Sequence, residues 1–364
     1  MTRPSDAGSP TPREIPSLTA LRGLLAGWVV MYHFWNDTLR LFPALDGLTP
    51  VVARGHLAVP GFFALSGFVL AYHYTESFRT LTLRGVGRFL GRRLARVYPV
   101  HLVTLLAVLA MVAVADCVGY QLSDGGYSAA DFARNLLLVQ TWTPDFRLNW
   151  NYPSWSVSSE WFAYLLFPAA AAVATRTLTS ARRVAAFGLA SLAASVAVLE
   201  GWRPWPFYEL VLVVPTFFTG AAIWWAFRVT ASDRLPPRIT PEVCAVAAVV
   251  GCYWPVPELG TAVTVTGIVA VIAALARLGP SCHAAWRVRP VVLLGDVSYS
   301  LYLSHTLAQK VLVKLLPAAR FEASPLGVKL AVGAAYLAAV ALACLGTYHL
   351  VERPARRALR RAAG

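Results

Sequence analysis

The sequence predicts an all-α fold, a polytopic membrane helix bundle of about ten transmembrane helices. Three observations predict it. The 364-residue chain is 57% hydrophobic, with a mean hydropathy of +0.56. Only 14% of it is charged, against roughly 25% in an ordinary soluble domain. Apolar runs of about twenty residues, the length that crosses a bilayer as a helix, recur along the chain, so one bundle describes it better than several soluble domains.

The runs fall near 17–36, 55–76, 97–118, 158–175, 184–200, 208–227, 240–255, 261–278, 291–313 and 328–351. Nearly all basic residues are Arg, which concentrate between Arg79 and Arg96, Arg176 and Arg183, Arg228 and Arg238, Arg277 and Arg289, and Arg353 and Arg361. The net charge of +14 therefore fits membrane topology better than nucleic-acid binding. Placing both N- and C-termini in the cytoplasm puts these segments on that side. Residues 1–15, polar and rich in Pro and Ser, are expected to be a disordered cytoplasmic N-terminus, 16–352 the membrane domain and 353–364 a basic cytoplasmic tail. No small-residue cleavage site follows a short apolar stretch, so helix one is expected to insert the chain itself, as a multi-pass protein of the plasma membrane. Trp35, Trp142, Trp150, Trp155, Trp161, Trp202, Trp205 and Trp254 cluster at the opposite, outer ends as an interfacial belt. The outer segment 119–157 contains a run, 135–139, too short to span, which suits a re-entrant or interfacial piece over a cavity. Cys117, Cys244, Cys252, Cys282 and Cys344 lack metal-type spacing and read as buried small apolar residues, so no metal is expected.

Ionisable residues inside the apolar runs carry the functional signal. Arg22 and His33 lie eleven residues apart in helix one, a separation of about three turns that leaves roughly 20° between them and a rise of roughly 16 Å. They share a face that must look into protein or a wet cavity, because Arg is costly in lipid. In the second span, Pro60 to Phe68 is broken by Gly61, Gly67 and Ser66, a pattern that by itself reads as close helix packing. Before the third span, Arg88, Arg92 and Arg96 recur at i, i+4 and i+8, with Arg93 on the neighbouring stripe. The patch reads equally as a lipid-phosphate anchor or as a dock for a phosphorylated cosubstrate such as a coenzyme A thioester. At the outer end of the fourth span, Ser156, Glu160 and Tyr164 form an i, i+4, i+8 stripe. The serine run could cap the helix, or an inward Glu160 could partner His33. Ser298, Tyr302 and His305 share a face of the ninth span. One shared polar cavity accounts for Arg22, His33, Glu160 and His305 better than four separately buried ionisable groups.

Read in order, these motifs resemble the acyltransferase-3 family of polytopic membrane enzymes that move acyl groups from thioesters to hydroxyls. The matching elements are Leu21-Arg22-Gly23 with His33, Phe62 to Phe68, Arg93 and Arg96 followed by Tyr98-Pro99, Trp155 to Glu160 with Tyr164, Ser298 to His305, and Glu352-Arg353-Pro354. The chain departs from the family pattern at Ala163, often aromatic, and at Ser17 and Thr19, where an Asp is common. The resemblance implies acyl-CoA, acetyl-CoA first, as a cosubstrate with no permanently bound cofactor. Its phosphates are expected on Arg92, Arg93 and Arg96, with its arm passing Arg22 and Ser66. It implies His33 as general base, or as a transient acyl carrier, with Glu160 orienting the imidazole. Arg22, His305 or Tyr302 would stabilise the developing oxyanion, and Trp155, Tyr164, Tyr302 and His305 would contact the acceptor, a hydroxyl of a surface glycan or a macrolide-type compound. The competing reading is a proton-coupled transporter or flippase, in which intramembrane Arg and His also occur, although the chain lacks the internal repeat of inverted halves.

Overall fold

A computed structural model of the chain describes residues 15–119, 126–201, 206–230, 239–279 and 284–363. Residues 1–14, Trp202, Trp205 and Cys282 lie outside them. Among the described residues the fold is helical throughout, without strands. In order the helices are α1 (Pro16–Leu41), α2 (Thr49–Val52), α3 (Ala58–Tyr74), α4 (Leu83–Cys117), α5 (Ala129–Leu136), α6 (Ser154–Thr177), α7 (Ala181–Gly201), α8 (Tyr208–Val229), α9 (Pro241–Cys252), α10 (Pro257–Leu278), α11 (Arg289–Leu315), α12 (Leu326–Thr347) and α13 (Arg353–Ala363).

Each of the ten expected spans falls on a helix, but seven are both long and apolar enough to cross a membrane among the described residues. The difference has two physical causes. The run at 240–255 forms only the 12-residue α9, about 18 Å of helix against a hydrocarbon core of about 30 Å. By contrast α1 and α11 have the length, 26 and 27 residues, but carry the polar side chains of the site, which lower their hydropathy. The two helices that a hydropathy criterion passes over are the pair that holds His33 and His305.

That pair is drawn together by glycine. A Cβ on Gly295 of α11 would strike the Thr19 carbonyl of α1, and one on Gly23 would come within 2.6 Å of the Gly295 nitrogen. The α3–α8 crossing uses the same device, since a Cβ on Gly67 would strike the Phe217 carbonyl. Around this crossing, Phe63, Phe68, Phe78, Phe89, Phe167 and Phe217 form a fully buried aromatic core. The 35-residue α4 starts at Thr82, whose hydroxyl accepts from the Gly85 N–H at 3.1 Å. At about 52 Å it outruns the bilayer, so its arginine-bearing first turns extend past one face.

Between α4 and α6 the chain folds back over the bundle. The run at 135–139 takes the end of one short helix and the turn that follows it. Here α5, capped by Ser128, ends at Leu136, and Leu138 is buried at φ 58°. His101 of α4 donates from Nε2 to the Asn135 carbonyl at 2.8 Å, and Tyr98 donates to the Leu136 carbonyl at 3.1 Å. Arg134 bonds both Asp131 and Asp145, and its hydrogen bond holds the exposed Asp145 carboxyl below the usual carboxylate range. Of the cysteines, Cys244, Cys252 and Cys344 are buried as expected, whereas Cys117 is exposed at the end of α4.

Candidate active site

One cavity of about 1030 Å³ opens between α1, α3, α4, α6 and α11, large enough for a drug-sized or larger ligand. Its lining brings together Arg22, Ser66, Arg92, Arg93, Arg96, Glu160, Tyr164 and Tyr302 of the expected site residues. The exposed Arg88 and Arg92 stand at its mouth. Six arginines and two carboxylates, Glu160 and Asp296, line it, so its field favours an anion.

The arginines of α4 differ in what holds them. Arg93 donates to the Tyr74 hydroxyl at 3.1 Å with its guanidinium over the Tyr74 ring, while its Nε has no acceptor among the described residues. Arg96 pairs with Glu352 at 2.9 Å. Across the cavity Arg22 donates from Nε and Nη2 to the Gly295 carbonyl, at 3.2 and 2.9 Å. The close approach permitted by Gly23 and Gly295 makes that bond possible.

Deeper in, Glu160 is held by Ser66 and Tyr164 and faces the charges of Arg93 and Arg96. Ser66 and Tyr164 are themselves 3.4 Å apart. This corrects the expectation that Glu160 orients His33. Ser156, one turn earlier on α6, reaches Tyr302 at 2.9 Å, and Glu160 therefore sits a turn toward the arginine end. The serines of α6 are not caps either: its N-cap is Pro153, and Ser158 instead bonds the Leu138 carbonyl and Thr141. Trp155 stays outside the lining and packs edge-on against Phe63.

Beyond Tyr302, which meets Phe62 edge-on, lie the two histidines. Their hydrogen-bond pattern assigns both tautomers. His305 is fully buried, and its Nδ1 is 2.8 Å from the Tyr302 carbonyl, so Nδ1 carries the proton and Nε2 is an acceptor. His33 Nδ1 lies 2.9 Å from the Val29 carbonyl and 3.3 Å from His305 Nε2. Both partners accept, so His33 Nδ1 is the protonated nitrogen. Its Nε2 is then a lone pair, and it has no partner among the described residues. Tyr32 and Tyr152 pack edge-on against the ring at 5.1 and 5.5 Å. A neutral imidazole with its donor engaged and its acceptor bare is arranged to take a proton.

The sequence reading gives neither Gln309 nor Glu352 a role in the site. Gln309 donates to the His33 carbonyl at 2.5 Å and is signalled only by its i+4 spacing from His305. Glu352 enters the sequence reading only as part of the Glu352-Arg353-Pro354 element that ends the membrane domain, and it is 1% exposed.

The matched family model, described as an acyltransferase domain, covers residues 15–348. The chain belongs to the acyltransferase-3 family. It is 35% identical over 162 residues to acyltransferase MdmB of Streptomyces mycarofaciens, an alignment spanning 43% of this chain and 38% of that protein. To the putative acetyltransferase ORF330 of Acidianus two-tailed virus it is 22% identical over 82% of this chain and 84% of that one. Protein 2 in the picA locus of Rhizobium radiobacter is 31% identical over 41% of this chain and 78% of that protein. No solved structure matches.

Proposed function

We propose that this chain is an integral membrane O-acyltransferase of the plasma membrane, moving an acetyl or other short acyl group from acyl-CoA to a hydroxyl of a surface glycan or macrolide-type compound. The observation that carries this reading is the bare Nε2 of His33, beyond one end of a cavity whose other end is lined with arginine. The similarity to the putative acetyltransferase ORF330 supports acetyl as the group moved.

In this reading the acceptor hydroxyl gives its proton to His33 Nε2 while its oxygen attacks the thioester carbonyl. The tetrahedral oxyanion collapses, the C–S bond breaks, and the thiolate leaves with the proton from the imidazolium. The Val29 carbonyl and His305 Nε2 accept the Nδ1–H throughout and so hold the tautomer and the charge. Arg92, Arg93 and Arg96 take the donor phosphates as bidentate forks. Arg22, held on the Gly295 carbonyl beside Asp296, lines the arginine side of the cavity and meets the donor arm there, while Tyr302, next to the histidines, is the group proposed to steady the oxyanion. Ser66, Glu160 and Tyr164 form a polar girdle along the donor arm, and Tyr302 with His305 borders the acceptor. The N-terminus and the arginine end of the cavity face the cytoplasm, where the donor is made.

Replacing Arg93 and Arg96 together by Gln tests the donor assignment. The KM for acetyl-CoA should rise at least about tenfold, since each lost charged hydrogen bond costs about 1.5–3 kcal/mol, while the KM for the acceptor stays within twofold. An unchanged donor KM would return the two residues to a lipid-anchoring role.

A further inference from the structure

Residues 353–363 continue α12 through a single π-helical turn, Tyr348–Glu352, into α13. This stretch reaches the cavity. Arg356 lines it beside Arg92, Arg93 and Arg96. Its position is fixed by Glu352, whose buried carboxylate accepts from Arg96 at 2.9 Å, from Ser300 at 2.5 Å and from Arg356 itself. One side chain thus ties α4, α11 and α13 together at the arginine end. The π turn matters to this placement: it inserts one residue into the helical repeat, and without it everything downstream would rotate by about 100°.

The ties to Glu352 leave donors over. Arg356 uses Nη2 toward Glu352 and toward the Asp296 carbonyl at 3.5 Å, but its buried Nε has no acceptor among the described residues. Arg93 Nε is in the same condition. Two guanidinium groups with unmatched N–H donors on one arginine-rich cavity suit a multivalent oxyanion, and phosphate matches the guanidinium fork.

We propose that Arg356 is a donor-binding residue contacting a phosphate of the nucleotide portion of the acyl donor, with Glu352 as the positioning residue that fixes Arg356 and Arg96. This rests on the acyl-CoA reading above. The test compares acetyl-CoA with acetyl-pantetheine, which keeps the thioester arm and lacks the nucleotide, using the full-length protein in lipid-free maltoside detergent. The measured quantity is the ratio of kcat/KM for the two donors. Arg356→Gln should lower that ratio about tenfold, through the KM for acetyl-CoA, as expected for one charged hydrogen bond. Arg356→Lys should recover part of it, because the charge remains while the fork is lost. Arg353→Gln, exposed and outside the lining, should keep the wild-type ratio. A wild-type ratio in Arg356→Gln, or in Arg356→Lys should the Gln variant fail to fold, overturns the proposal. So does a loss that appears only in anionic-lipid nanodiscs, which would assign Arg356 to a lipid headgroup. If the wild type itself does not distinguish the two donors, the acyl-CoA reading falls and this proposal with it.

Discussion

His33→Ala lowers kcat for acyl transfer by about 10²- to 10⁴-fold, the range supplied by a positioned general base. The magnitude follows from the assigned tautomer. Nδ1 is committed to Val29 and His305, so Nε2 is the nitrogen of His33 able to take the acceptor proton. Folding should survive the change. The ring's own contacts are edge-on meetings with Tyr32, Tyr152 and His305, and the α1–α11 contact is set a few turns away by Gly23 and Gly295. Loss of kcat in a variant that still elutes as a monodisperse species, with donor KM unchanged, is the expected result. His305→Ala removes only orientation, so its effect is smaller, about tenfold. Full turnover by His33→Ala would remove the residue from the chemistry.

How this site reads in the sequence depends on the range over which each group is specified. The Arg22 and His33 stripe is legible because helical periodicity fixes a face regardless of partners, and both residues end up on the inner side of α1. The arginine patch is legible for the same reason, within one helix. Glu160 shows where local spacing stops informing. Its i, i+4 relation to Ser156 and Tyr164 is correct, but whether the carboxylate rises to His33 or stays with Arg93 depends on how α6 sits against α3 and α4, which no spacing encodes. The role of His305 against His33 depends likewise on the glycine-set contact of two helices 272 residues apart at this point.

Glu352→Ala is the second large effect, in stability. The carboxylate is 1% exposed and accepts from two guanidinium groups and one hydroxyl. Removing one partner of a buried ion pair costs about 3–5 kcal/mol. Arg96 and Arg356 keep 28% and 24% of their side-chain surface, so water relieves part of the penalty, and about 2–3 kcal/mol is the better expectation. Thermal unfolding in detergent should move down by several degrees. The donor KM should rise as well, because Arg96 loses its fixed position. A variant as stable as the wild type would show that the three helices are held together without this carboxylate.

The tail also shows why fold was more legible than architecture. Ten apolar runs located ten helices, since burial in a bilayer demands apolar length and little else. What hydropathy could not convey is that α13 belongs to the wall of the cavity. A run of arginines near a membrane reads as a surface anchor by composition, and only the buried Glu352, a single charged residue against that background, turns Arg356 inward. In α9 the reverse occurs: composition suggested a span, and the chain made a 12-residue helix packed against α10, with Gly251 and Thr264 in close approach.

The central claim is that a donor bound at the arginine end serves a hydroxyl at the histidine end, across the thickness of the bundle. Sealed membrane vesicles of known orientation, loaded with methyl pyranosides and a macrolide, test it when membrane-impermeant acetyl-CoA carrying a labelled acetyl group is added outside. The account predicts labelled ester inside vesicles whose cytoplasmic face is outward, none in intact vesicles of the opposite orientation, and recovery in the latter when labelled acetyl-CoA is sealed inside and the acceptors are supplied outside. Labelled ester formed equally in both orientations, or formed equally by His33→Ala, would contradict it.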